Sequence, residues 1–225
     1  MMLILNKISK SFLQRGIVLK DLDMTVNEGD SVSIMGPSGS GKTTLLNIIG
    51  LLDRPDNGEV IFRGEPVLKY DHDESALYRN RNIGFVFQDH LLLPYLTIME
   101  NILLPLLASR ATEKDHRLKE DEARKMMERT GITDIAGKYP WQISGGEAQR
   151  ATLVRALVNK PSILLADEPT GSLDRKNSEK LGDLLTGMNK DYGITLILAT
   201  HSQDLAGRMK IRYSLSEGKL VDGTN

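Results

Sequence analysis

Apolar and polar positions alternate early in the chain: Leu22, Met24 and Val26 are separated by polar residues, and Asn27-Glu28-Gly29-Asp30 supplies a reversal. This predicts short strands belonging to an antiparallel edge or small sheet within the first thirty residues. Ser31 to Met35 reads as the next strand, followed by a glycine-rich loop and a helical pattern from about Lys42 to Ile49 that Gly50 can end. Glu59 to Arg63 and Ile83 to Phe87 predict further strands, with a helix between Glu74 and Arg81.

From Arg110 to Arg129 charges of both signs crowd the sequence, and Leu118, Ala123, Met126 and Met127 are spaced as a thin apolar stripe on a helix. This predicts an inserted helical lobe whose charged face is solvated; the mixed signs argue against a nucleic-acid patch. Another helix is expected from Gly145 to Lys160, with Ala148, Ala151, Val154 and Leu157 or Val158 at three- and four-residue spacing to pack on a sheet. Ile163 to Ala166 and Ile194 to Ala199 are continuous apolar runs, the pattern of parallel strands covered on both faces. The core is therefore α/β, and Tyr213 to Leu220, turning at Glu217-Gly218, predicts a terminal hairpin.

The chain has 225 residues, 40% of them hydrophobic and 26% charged, which predicts one large domain carrying an inserted lobe. With 29 basic against 30 acidic residues the net charge is -1, so no global field draws it to nucleic acid or an anionic membrane, and no nucleic-acid partner is expected. The absence of Cys excludes disulfide scaffolds, thiolate metal sites and Cys nucleophiles. The opening run Met1 to Leu5 is cut off by Asn6-Lys7, too short for a signal-peptide core. The longest apolar stretches fall short of the roughly 20 residues that span a bilayer. The expectation is a cytoplasmic protein whose membrane role, if any, goes through a partner.

Gly36-Pro37-Ser38-Gly39-Ser40-Gly41-Lys42-Thr43 fits the phosphate-binding P-loop pattern, placed after a strand and opening a helix as that motif requires. Its glycines let successive N–H groups turn toward phosphates, and the helix N-terminus adds its positive end. Lys42 can reach the β- and γ-phosphates and Thr43 can ligate Mg²⁺; Thr44 joins the candidate nucleotide-binding set. Asp167 and Glu168 follow a buried strand, at the edge where ligands of open α/β sheets collect. Asp167 can join the Mg²⁺ shell and Glu168 can polarise an attacking water, though acidic residues after a strand also serve as helix starts. Ser144-Gly145-Gly146-Glu147 obeys a capping-box pattern, and its two glycines add bare N–H groups of the kind an anion site uses.

Together these motifs, in their order and spacing, resemble the nucleotide-binding subunit of ATP-binding cassette (ABC) transporters over essentially the whole chain. Ile143-Ser144-Gly145-Gly146-Glu147 is similar to the family's signature sequence, with Ile143 where Leu is commonest and Glu147 where Gln is frequent. The resemblance implies a P-loop core with an N-terminal antiparallel β region, spanning about 1–88 and 160–225, and a helical subdomain over about 89–159. It also implies ATP and Mg²⁺ as ligands, with Ser144, Gly145 and Gly146 meeting the nucleotide of the opposite subunit. Gln88 is similar to the Q-loop glutamine that senses Mg²⁺ and water. Asp174, in Ser172-Leu173-Asp174, is similar to the D-loop aspartate, and His201 to the switch histidine at the γ-phosphate. Phe12 aligns with the aromatic residue on which adenine stacks, a place where the family more often has Tyr.

The run from Arg79-Asn80-Arg81 through Ile83 to Gln88, Leu91 to Pro94 and Glu100-Asn101 is similar to the LolD-type lipoprotein-releasing and MacB-type macrolide-exporter group, as is Asp204 to Met209. That group implies a head-to-tail homodimer on integral permease subunits at the cytoplasmic face of the inner membrane. An FtsE-like mechanical signalling ATPase would carry the same motifs; soluble repair or translation ATPases usually carry insertions or a second cassette. The apolar segment Leu91 to Leu107 could be a groove for a partner helix or ordinary helix core.

Overall fold

A computed structural model describes residues 1–108 and 113–223, without the side chains of 113–116. In chain order the elements are β1 (Leu3–Phe12), β2 (Gly16–Val26), β3 (Ser31–Met35), α1 (Lys42–Ile49), β4 (Asn57–Phe62), β5 (Glu65–Pro66), α2 (His72–Asn82) and β6 (Ile83–Val86). They continue as α3 (Ile98–Leu107), α4 (Glu113–Thr130), α5 (Gly145–Leu157), β7 (Ile163–Asp167), α6 (Arg175–Tyr192), β8 (Thr195–Thr200), α7 (Gln203–Gly207), β9 (Ile211–Ser216) and β10 (Lys219–Asp222).

Local chemistry sets most of the helix boundaries. Asp71 with Glu74, Thr97 with Glu100 and Ser144 with Glu147 form capping boxes at the starts of α2, α3 and α5. Asp174 caps α6, and Gly193, in the left-handed region at φ 65°, ends it. Helix α5 stops three residues short of the expected Lys160, because Pro161 disfavours helical backbone at the residue before it and Lys160 is left-handed at φ 53°.

The strands form two sheets. An antiparallel sheet runs β2-β1-β4-β5, in which Leu22, Met24 and Val26 of β2 are buried, as their alternation predicts, and Leu19, beyond a shift in register with β1, is buried too. The larger sheet runs β10-β9-β3-β8-β7-β6, with β9, β3, β8, β7 and β6 parallel and β10 closing a hairpin. Both of its faces are covered. Ile163 and Leu165 of β7 join Val32, Ile34 and the α1 residues Leu45 and Ile48 in one core, while Leu164 and Ala166 join Leu153, Val154 and Ile102 in the other. This two-sided burial is why β7 and β8 lack alternation.

Two expectations need correcting, and a third falls partly outside the described residues. Leu118 is exposed on α4, so the buried stripe there is Ala123, Met126 and Met127 alone. The charge run's residues 110–112 lie outside the described residues. The segment Leu91 to Leu107 divides: Ile98, Met99, Ile102 and Leu106 are core, whereas Leu91, Leu93, Tyr95 and Leu107 are exposed. Register then positions the site: Met35 lies opposite Thr200, and Asp167 opposite Ala199. The carboxyl ends of β3, β8, β7 and β6 thus stand side by side, delivering the P-loop, His201, Asp167-Glu168 and Gln88 to one edge.

Candidate nucleotide site

Between β3 and α1 the chain makes a loop that only glycine fits at critical points. Gly39 and Gly41 have φ of 82° and 105°, and a Cβ on Gly41 would lie 2.8 Å from Val18 Cγ1. Gly41 is the N-cap of α1 and offers no side-chain cap, which leaves first-turn N–H groups for an anion. Lys42 is 7% exposed; its Nζ donates to Gly36 O at 2.8 Å and Pro37 O at 3.2 Å, curling the ammonium under the loop. Pro37 to Ser40 border a groove of about 820 Å³ whose other wall includes Arg15, Lys20 and the Ser216 to Gly218 turn, a size that suits a nucleotide. Thr43 and Thr44 lie in the first turn of α1.

Beyond β7, Asp167 and Glu168 occupy different environments. Burial raises the Asp167 carboxyl pKa, and a hydrogen bond from Thr43 opposes the rise. Asp167 Oδ1 is buried and, among the described residues, has no hydrogen-bond partner. Thr43 and Asp167 are hard oxygen donors at the mouth of the phosphate loop, and Mg²⁺ is characteristically held by one or two protein oxygens together with substrate phosphates. The residues therefore fit Mg²⁺. Glu168 sits in the left-handed region at φ 43°, a conformation that costs a non-glycine residue about 1–3 kcal/mol. Its N–H donates to Ala199 O and its carbonyl accepts from Gly171 N–H, holding the turn. Its carboxylate lies 3.6 Å from Lys42 Nζ and 2.9 Å from His201 Nδ1. The side-chain amide of Gln88 lies against Gly171, where a Cβ would come within 3.3 Å of it.

Lys42, Thr43, Asp167, Glu168, His201 and Gln88 are thus gathered at one sheet edge. Ser144, Gly145 and Gly146 lie elsewhere. Ser144 N–H and Oγ–H both donate to Glu147 Oε2, at 2.8 and 2.7 Å, which holds the Glu147 pKa below its usual range. Gly145 O is met by His90 Nε2, and a Cβ on Gly146 would lie 2.6 Å from Asn177 Oδ1. Asp174 accepts from Asn177 N–H and Nδ2 at 2.8 Å each, so it caps α6 on the same side as the Ser144 segment. Phe12 ends β1 partly exposed, with Lys10 Nζ 5.2 Å from its ring centroid.

Sequence reasoning missed Asn177, Gln149, Arg155 and the role of Asn101. Asn101 is fully buried; it accepts from Leu93 N–H and donates to the carbonyls of Leu93, Leu96 and Thr97, shaping the loop before α3. Its only signal was a polar residue within an apolar helix face. Asn177, three residues after the Asp174 cap, had the spacing of a capped helix start.

The family model described as ABC transporter matches residues 19–171. The chain is 42% identical over 223 residues, 98% of itself and 99% of the relative, to the lipoprotein-releasing system ATP-binding protein LolD of Syntrophus aciditrophicus. It is 44% identical to the LolD of Bacteroides thetaiotaomicron, covering 99% of this chain and 98% of that one. Among solved structures, a dimeric post-hydrolysis state of the ATP-binding cassette MJ0796 with ADP and Pi superposes with a TM-score of 0.85 at 40% identity, covering 97% of this chain and 96% of that chain. With the P-loop, the Asp167-Glu168 edge and full-length similarity in agreement, the chain belongs to the ABC transporter family and is its ATP-binding, ATP-hydrolysing subunit.

Proposed function

We propose that this chain drives a lipoprotein-releasing membrane complex, working as a head-to-tail homodimer docked on permease subunits at the cytoplasmic face of the inner membrane. The observation that carries the dimer reading is the division of the site. Cation, carboxylates and imidazole gather at the sheet edge, whereas the Ser144 to Gly146 segment presents an exposed Ser144 and Gly145 whose contacts are to Glu147, His90 and Asn177. Two copies related head to tail would complete each site with the other's segment. The names of the relatives support the lipoprotein branch.

In this reading the Gly36 to Thr44 loop amides and Lys42 hold the ATP phosphates, Phe12 stacks on adenine, and Thr43, Asp167 and Gln88 hold Mg²⁺. When bound, Mg²⁺ supplies Lewis-acid polarisation of phosphate oxygens. Glu168 orients water and accepts its proton; His201 keeps that carboxylate aimed from one side and Lys42 from the other. Asp174 sets the start of α6 beside the Ser144 segment of its own chain, on the surface offered to the second copy.

Glu168→Gln tests the assignment: ATP binding persists, turnover falls by at least about 100-fold, and an ATP-dependent dimer accumulates on size exclusion. Full turnover in this variant would remove Glu168 from the chemistry. Recovering the trapped protein from detergent-solubilised membranes, with its companions identified by mass spectrometry, tests the branch. A lipoprotein-release permease supports it, and a division-type partner replaces it with mechanical signalling.

A further inference from the structure

Helix α5 grips the segment after β6 along its whole length. At its first turn Gly145 O lies 3.0 Å from His90 Nε2. One turn later Gln149 Nε2 donates to Phe87 O at 2.9 Å. Near its end Arg155 donates from two nitrogens, to Leu91 O at 2.7 Å and His90 O at 2.9 Å. Beside it, Gly84 of β6 passes so close that a Cβ there would lie 2.4 Å from Ala156 O. The contacts run from residue 145 to 156, roughly 16 Å of helix.

These are costly groups to place there. Gln149 is fully buried and its Oε1 has no partner among the described residues. The Arg155 guanidinium is partly covered, which lowers its pKa, and it is answered by two carbonyls. An apolar residue at either position would avoid those penalties, so simple packing does not explain them. On its other side the same segment touches the chemistry, since Gln88 lies against Gly171, whose N–H donates to Glu168 O at 3.0 Å.

We infer that Gln149 and Arg155 are positioning residues: they make the Gln88 loop and α5 one rigid body, so the loop's position sets the aim of Ser144 to Gly146. This rests on the reading of Ser144 to Gly146 as the contact to a second copy's nucleotide. Neither side chain reaches substrate, because each is spent on loop carbonyls. The forked guanidinium matters at position 155, since a lysine ammonium lacks the planar fork that serves two carbonyls at fixed spacing.

Two variants test it, Arg155→Lys and the near-isosteric Gln149→Met, each made alone and in the Glu168→Gln background. Nucleotide binding to the single subunit stays within about twofold of the parent, ATP-driven dimerisation weakens about tenfold, and kcat falls with KM for ATP unchanged, the loss expected of one hydrogen bond made by a charged or buried group. A merely structural role would lower Tm and leave dimerisation and kcat of the folded protein as in the parent, which overturns the inference. The lack of native Cys allows spin labels at Asp89→Cys and Gln142→Cys. One narrow distance, the same without nucleotide and with ATP, is expected in the Glu168→Gln parent, broadening in Arg155→Lys. A distance that changes between the two states in the parent overturns the rigid body. A Glu168→Gln parent that fails to dimerise overturns the underlying reading as well, whereas a dimerising parent with unaffected variants overturns this inference alone.

Discussion

Glu168 Oε2 lies 2.9 Å from His201 Nδ1 and accepts from the His201 N–H at 3.2 Å, so one residue holds the carboxylate through both side chain and backbone. His201 is largely exposed while Glu168 is mostly covered, which makes the imidazole a removable clamp on a fixed base. In His201→Ala the backbone contact survives and the aim of the carboxylate is lost. Steady-state ATPase assays should give a kcat about 100-fold lower, with a much smaller change in KM. A raised KM with kcat intact would instead place His201 in ground-state binding.

Asp167 should trade stability for function. Burial raises its pKa above the ordinary 3.8, partly offset by Thr43, so folding favours the protonated form. The stability it contributes is complete below pH 3.8 and is lost as pH rises through the raised value. At neutral pH the carboxylate is therefore a liability that Asp167→Asn removes. The variant is expected to melt higher than the parent without nucleotide, to gain little from ATP with Mg²⁺, and to turn over at least about 100-fold more slowly. Differential scanning calorimetry with and without the ligands reads both signs.

The contrast between what was legible and what was not follows sequence distance. The P-loop, the continuous runs of β7 and β8 and the Ser144-Glu147 box are local patterns, and each sits where its spacing put it. Helix α6 carries an equally local pattern, Leu181, Leu185 and Met188 at four- and three-residue spacing behind the Asp174 cap, which the reading of Ser172-Leu173-Asp174 as a short motif does not include. Leu118 lies five residues before Ala123 on α4 and is exposed while Ala123, Met126 and Met127 are buried, because spacing on a charge-rich helix marks a face and not how far along the helix that face is covered. Arg155 was invisible for a different reason: its partners are backbone carbonyls 64 and 65 residues away, and carbonyls carry no sequence signature.

Asn101 gathers four backbone groups around one buried amide: its Oδ1 accepts from Leu93 N–H and its two Nδ2 hydrogens are shared among the carbonyls of Leu93, Leu96 and Thr97, fixing the loop from Leu93 to Thr97. Asn101→Ala takes this partner from the Leu93 N–H and the Leu96 carbonyl and leaves a gap where a fully buried side chain stood. The expected loss is about 2–4 kcal/mol, read from urea unfolding with an unchanged m-value. Asn101→Asp keeps the shape and the acceptor but turns the donor end toward the carbonyls as a carboxylate. It should unfold at lower urea at pH 7 than at pH 5, the reverse of a simple volume effect.

Glu147 controls the availability of Ser144. The Ser144 hydroxyl spends its proton on Glu147 Oε2 at 2.7 Å, and its oxygen accepts from Glu147 N–H at 3.3 Å. A hydroxyl so committed cannot donate to a phosphate until it leaves the carboxylate, and a charged acceptor holds it about twice as strongly as a neutral one. Glu147→Gln keeps the capping geometry and weakens that hold. ATP-driven dimerisation in the Glu168→Gln background should therefore tighten about two- to tenfold, while Tm changes little. The pH dependence is a second readout. The folded pKa of Glu147 is lowered from 4.5, so the box contributes stability above pH 4.5 and loses it as pH falls through the depressed value, a loss that Glu147→Gln abolishes. Weaker dimerisation in Glu147→Gln would mean that the carboxylate's own charge, rather than the freed hydroxyl, serves the contact between subunits.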